Sequence, residues 1–263
     1  MSTAGTWPVN PGCEAFTHVA GASVGALVAH GFTGTPRSVR GVADALAAAG
    51  VDVESPRLPG HGTHIDDMLT TRWPHWLSEV EQAYRALAAR VDRVVLVGQS
   101  MGATLVLATA LADPEGVAGV VAINPLTRDR GPEALEMIDD LLADGIEVAP
   151  GGESDIADPD SRDLAYADTP LAPLRSLLTE GVGRIQDRYG ELTMPLRLFT
   201  SRHDHVVPPS DSEHLAAEWA GSVAHTWLER SYHVATLDYD RDVVTAGTVA
   251  FVASFAGQPT PAS

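Results

Sequence analysis

The sequence predicts an α/β fold in which a mostly parallel central sheet carries helices on both faces and a small, mainly helical cap insertion. Three observations carry this. Short apolar runs rich in β-branched residues recur along the 263 residues; Ala- and Leu-rich helical patterns separate most of them; and one stretch, 127–190, interrupts the alternation without a convincing strand.

The first run, GALVAH (25–30), leads to a helical pattern over 36–49 that starts on Pro36 and stops at Gly50. VDVES (51–55) is the next strand. Residues 74–90 follow, with Leu77, Val80, Tyr84 and Leu87 on one helical stripe. RVVLVG (93–98) reads as a strand buried on both faces, and the Ala, Leu and Met residues after Ser100 read as a helix. VAGVVAIN (117–124), LRLFTS (196–201) and VAHTWLE (223–229) complete the sheet.

Between 127 and 190 the segment PEALEMIDDLLADG places Leu135, Ile138, Leu141 and Leu142 on one helical side. The irregular loop APGGESDIADPDSRD follows, and then a second helical region containing Leu174 and Leu177. The expected division is therefore a core of 1–126 and 191–263 with a cap of 127–190. An insertion near the carboxyl ends of the strands reads as a lid, with those six residues as the pool for an apolar wall, or else as a peripheral decoration. The final GQPTPAS reads as a frayed tail, and no internal repeat is present.

Composition excludes several classes. The net charge is −18 and is spread along the chain, which argues against nucleic acid as a partner. All 17 basic residues are arginine, so P-loop, pyridoxal-phosphate and Schiff-base chemistries are out. The acidic, lysine-free surface fits either a saline habitat or genomic base composition. Cys13 is the single cysteine, so an internal disulfide and a thiolate metal cluster are excluded. No run approaches ~20 apolar residues and the start lacks a signal segment, so an unexported, cytoplasmic protein without stable membrane insertion is expected.

The interruption Gly-Gln-Ser-Met-Gly at 98–102 matches the nucleophile-elbow pattern G-x-S-x-G, although a serine capping a helix after a strand would look the same. Partners decide between them. A serine nucleophile needs an imidazole base, a carboxylate to orient it and donors for the oxyanion. In the α/β-hydrolase order Ser, Asp, His, the loop SRHDHVVPP supplies Asp204 and the loop RSYHVATLDYD supplies His233, each just past a later strand. His-Gly-Phe-Thr-Gly at 30–34 and the residue after the serine would offer the backbone N–H groups of Phe32 and Met101, with His30 as a loop anchor. His203, His205 and His225 read as surface or structural residues, and His18, His75 and His214 fall in a hairpin or on helices. The cluster His61, His64, Asp66 and Asp67 lacks metal-hydrolase spacing and a further ligand set; a Gly-rich turn at the rim of the site is the plainer reading, and no metal is expected.

Across residues 24–255, LVAHGFTGTPRSVR, SPRLPGHGT, VLVGQSMGATLVLATA, AINPL, SDIADPDSRDLAYADTPLAPLRSLL, SRHDHVVPP and ERSYHVATLDYDRD resemble the small bacterial monoacylglycerol lipases and their carboxylesterase relatives of the α/β-hydrolase superfamily. The resemblance implies hydrolysis of monoacylglycerol esters by Ser100, Asp204 and His233, with Phe32 and Met101 as oxyanion donors and no cofactor. It also implies that Asp163, standing where the family has a glutamate that binds glycerol hydroxyls, reads the head group. Gln99 and Ala103 likewise depart from the family's elbow. A small-molecule ester or lipid is the expected partner, and a monomer or weak homodimer the expected state. A carboxylesterase without glycerol preference and a non-catalytic binding protein of the same fold are the alternatives.

Overall fold

The chain enters on a three-residue strand, β1 (Phe16–His18), and then builds the alternation that the sequence predicts: β2 (Val24–Ala29), α1 (Pro36–Ala48), β3 (Asp52–Ser55), the short α2 (Ile65–Leu69), α3 (Trp73–Ala88), β4 (Arg93–Gln99), α4 (Met101–Ala112) and β5 (Val117–Ile123). The insertion holds α5 (Gly131–Ala143), an antiparallel pair of two-residue strands, β6 (Val148–Ala149) and β7 (Thr169–Pro170), and a helical run of α6 (Leu171–Ser176), a π-helical turn (Leu177–Val182) and α7 (Gly183–Ile185). β8 (Leu196–Ser201), α8 (Pro209–Glu218), β9 (Val223–Leu228) and α9 (Arg241–Ala253) complete the order. The computed structural model describes residues 7–256, so the tail GQPTPAS lies outside the described residues.

The main sheet runs β1-β3-β2-β4-β5-β8-β9, with β1 antiparallel at one edge and every other pair parallel. Side chains alternate between its faces. Val94 and Leu96 of β4 join a core shared with α3, α4, α8 and the insertion, whereas Val95 and Val97 join α1 and α9 on the opposite face. Burial on both sides is why the strand is a continuous apolar run. The chain leaves β2 toward β3 on one side and returns to β4 on the other, which opens a crevice at the carboxyl ends of β2 and β4.

At that crevice β4 turns into α4 through Ser100, whose backbone is held at φ 56°, ψ −122°. The turn requires glycine on both sides. A Cβ on Gly98 would lie 2.4 Å from the Gly102 carbonyl, and one on Gly102 would lie 2.2 Å from the Ala29 carbonyl oxygen. Almost every residue of α4 is buried, because the helix lies between the sheet and the helical run of the insertion, whose Leu177, Leu178 and Val182 belong to the same core.

The structure departs from the sequence expectation at two points and adds a third element. β1, where a hairpin around His18 is expected, pairs instead with β3; the insertion, expected without a strand, pairs β6 with β7; and the short α2 has no counterpart in the sequence pattern. All are too short for periodicity to register. No described helix is long and apolar enough to cross a membrane.

Gly102→Ala should lower stability by about 2–3 kcal/mol or more, because backbone cannot yield as a side chain does. By thermal unfolding this is a fall in Tm of roughly 4–12 °C. Gly41, exposed on α1 with nothing within 4 Å of its Cβ position, should instead gain about 0.5–1 kcal/mol on conversion to alanine.

Candidate active site

Ser100, Asp204 and His233 come from the carboxyl ends of β4, β8 and β9 and meet in one hydrogen-bonded chain. Ser100 Oγ lies 2.9 Å from His233 Nε2, and His233 Nδ1 lies 2.7 Å from Asp204 Oδ2. The other Asp204 oxygen accepts the N–H groups of Val206 and Val207, both at 2.8 Å. The acid is therefore anchored by its own loop, and the side chains of both His233 and Asp204 are buried. An acceptor-only carboxylate fixes the imidazole proton on Nδ1 and leaves Nε2 free to accept the serine proton.

The loop after β2 packs directly on the serine: an atom at the Gly31 Cβ position would stand 3.3 Å from Ser100 Cβ. Its geometry is held from several sides. Leu58 N–H donates to His30 Nε2 at 3.2 Å, so the Nδ1 proton of His30 points to the Gly31 carbonyl at 3.0 Å. Burial drives the pKa of this imidazole well down, and neighbouring His61 adds to the shift. The expected anchoring role of His30 matches this arrangement. Tyr166 N–H donates to the Thr33 carbonyl at 3.1 Å and the Phe32 ring meets Trp76 edge to face. Ser100 N–H is consumed by the Ile123 carbonyl at 3.0 Å, while Phe32 and Met101 both line the cavity that contains Ser100.

That cavity, of about 410 Å³, is walled by apolar side chains of the insertion and the core. Of the six residues expected to form the wall, Ile138, Leu141, Leu174 and Leu177 line it. Leu135 and Leu142 do not; they pack, partly buried, against the main core cluster. On α5 the lining positions are Ala134, Met137, Ile138 and Leu141, one stripe rotated from Leu135 and Leu142. The one charged lining residue, Arg130, is engaged by Asp211 through both guanidinium ends, at 3.1 and 3.2 Å.

Asp163 is not part of this cavity. It lines a separate polar cavity of about 380 Å³ in the loop 152–167, where Leu164 N–H donates to its Oδ1 at 2.7 Å and burial pushes its carboxyl pKa up.

Several positioning side chains carry no sequence signal of their own. Asn124, at φ 42° after β5, donates to the His233 carbonyl at 2.8 Å and to Ser201 Oγ at 2.9 Å. Thr236 Oγ, in the loop of the base, lies 2.6 Å from the Ser38 carbonyl and 2.5 Å from the Gln99 side-chain amide, so the departure at the elbow ties it to that loop. Four of the remaining histidines make side-chain hydrogen bonds away from Ser100. His64 caps α2, His75 accepts from Arg72 N–H, and His225 bonds Thr200. His205 pairs with Asp155 at 2.8 Å. His61, Asp67 and His64 diverge: His61 packs beside His30 and Trp76, and Asp67 accepts from Thr63.

The sequence pattern of the family described as serine aminopeptidase, S33, matches residues 23–240. A thermostable monoacylglycerol lipase of Bacillus sp. (strain H-257) is 36% identical over 95% of this chain and 98% of its own length. A carboxylesterase of Bacillus subtilis (strain 168) is 23% identical over 83% of this chain and 87% of its own. Among solved structures, one described with LipS and LipT, two metagenome-derived lipolytic enzymes, superimposes with a TM-score of 0.88 at 36% identity, covering 94% of this chain and all of the other.

The histidines under the serine loop make the fold acid-sensitive. Burial lowers the His61 pKa to about 4, against ~6.5 for a solvated imidazole. Between these values the unfolded chain binds the proton and the folded chain does not, so stability falls as pH falls through that window, by about 3 kcal/mol from His61 alone. Denaturant titrations at pH 7 and pH 4 should record this loss, and His61→Gln should shrink it by a similar amount. An unchanged pH dependence in the variant would remove His61 as its source.

Proposed function

The chain belongs to the serine aminopeptidase S33 family, as a serine hydrolase of the α/β-hydrolase fold, and we propose that it hydrolyses the carboxylic ester bond of monoacylglycerols to fatty acid and glycerol. The observation that carries the reading is the position of Ser100: its hydroxyl is hydrogen-bonded to the base and at the same time faces a cavity whose walls are aliphatic. An acyl chain fits such walls, each buried methylene contributing about 0.8 kcal/mol. The α-ammonium of a peptide would find there only Arg130, a cation already paired with Asp211.

In this mechanism Ser100 Oγ attacks the ester carbonyl as His233 Nε2 takes its proton, and the imidazolium is stabilised by Asp204. The Phe32 and Met101 N–H groups receive the oxyanion. Collapse expels glycerol, protonated by His233, and leaves an acyl-enzyme on Ser100; water activated by the same imidazole then releases the fatty acid. The cap is the segment 127–190, and the enzyme acts in the cytoplasm as a monomer or weak homodimer. A carboxylesterase indifferent to the alcohol is the second reading. One observation favours it: Asp163, the candidate glycerol ligand, lines a separate polar cavity rather than the one on the serine.

A panel of 1- and 2-monoacylglycerols, diacylglycerols and p-nitrophenyl esters at matched chain length separates the two readings. Ser100→Ala should lose activity by about 10⁴-fold or more while remaining folded, and a retained rate would remove Ser100 as nucleophile. Leu141→Ser should raise KM most for long acyl chains, with acetyl esters little changed. Asp163→Ala should cost about 10- to 150-fold in kcat/KM on monolauroylglycerol and leave p-nitrophenyl laurate nearly untouched, since only the former offers vicinal hydroxyls. Equal losses on both esters would move the assignment to the carboxylesterase.

A further inference from the structure

We propose that Asp155, a carboxylate carried by the insertion, is a positioning residue for the catalytic base. The proposal rests on the triad reading above. One side-chain oxygen, Oδ2, accepts two backbone N–H groups, that of His205 at 3.0 Å and that of His233 at 3.1 Å. The first belongs to the loop of the acid and the second is the base itself. Oδ1 engages His205 Nδ1 at 2.8 Å, and the Asp155 carbonyl accepts Val234 N–H at 3.1 Å. A single carboxylate from 50 and 78 residues away thus clamps the two loops together.

The need for such a clamp follows from the sheet. β9 is the edge strand, so the loop that presents His233 has a neighbouring strand on one side only. Asn124 reaches it from that inner side, donating to the His233 carbonyl. Asp155 takes the N–H of the same residue, so the backbone of the base is held at both its polar groups. The clamp is itself fastened. Ala157 and Asp158 donate N–H groups to Asp238 at 2.7 and 3.0 Å, Ser161 Oγ donates to the Leu237 carbonyl at 2.7 Å, and Arg241 pairs with Asp158 at 3.1 Å. Hydrogen bonds to an ionised carboxylate are the strong kind, and proton transfer from Ser100 depends steeply on the placement of Nε2.

The test compares Asp155→Ala, Asp155→Asn and His205→Ala by steady-state hydrolysis of p-nitrophenyl butyrate and by the rate at which a fluorophosphonate modifies Ser100, located by peptide mass spectrometry. Asp155→Ala should lower kcat about 10- to 100-fold, with KM within about threefold, and should slow phosphonylation by the same factor. Asp155→Asn keeps an oxygen that accepts both N–H groups and should recover to within about fivefold of the parent. His205→Ala keeps its backbone N–H and should stay within about threefold. If Asp155→Ala does not fold, Asp155→Ser, whose hydroxyl is too short to bridge both loops, is read in its place. A parental kcat in the alanine or serine variant, or a loss confined to KM, overturns the proposal. Modification of the parent enzyme at a residue other than Ser100 would instead overturn the triad reading.

Discussion

The carbonyl oxygen of Ala29 and the backbone of Gly102 approach so closely that no Cβ fits between them. This contact sets the distance between the end of β2 and the start of α4, and the chemistry rests on that distance. Move the helix out by the width of a methyl group and Met101 recedes from Phe32, its companion in the lining of the cavity that contains Ser100. The positive φ of Ser100 is the backbone's answer to the same constraint. It turns the chain sharply enough to keep the hydroxyl exposed to the cavity while the helix stays against the strand. Strain of this kind persists where the surroundings over-determine it. Here they do, because the Ile123 carbonyl accepts Ser100 N–H and the helix beyond is buried along nearly its whole length.

Around that fixed point the polar groups are arranged in two shells with different tasks. Ser100, His233 and Asp204 form one hydrogen-bonded chain in which each side-chain polar atom is engaged. One step further out, Asn124 and Asp238 hold the backbone at His233 and Tyr232, and Thr236 ties the same loop to the Gln99 side chain and to the Ser38 carbonyl of α1. None of these polar side chains except Ser100 lines the apolar cavity.

Much of this was legible in the sequence because burial on both faces leaves strands no choice of composition. RVVLVG and VAGVVAIN could be read as strands, and with them the corner at Ser100 and the loop positions of Asp204 and His233. The wall of the cavity was legible only in part. Leu135, Ile138, Leu141 and Leu142 look equivalent on a helical stripe, yet rotation of α5 sends Leu135 and Leu142 toward the core and brings Met137 to the cavity. Nothing in a helix's own periodicity fixes that rotation. Asn124, Asp155 and Asp238 were illegible for another reason: most of their partners are backbone groups, present at every position, so no residue type at any spacing announces them.

The insertion has two dissimilar halves. Its loop 155–161 is bound to the segment 232–241 by carboxylates and a hydroxyl, while α5, which supplies one wall of the cavity, is bounded by Gly131 at φ 76° and Gly145 at φ 81° and pairs with α6 through Asp139 and Arg175. Selection therefore meets two separable targets in one segment. Substitutions on the inward stripe of α5 reshape the cavity wall without touching these hydrogen bonds, whereas substitutions at the carboxylates and the hydroxyl of the loop break them. The wall and the fastening can therefore be altered one at a time.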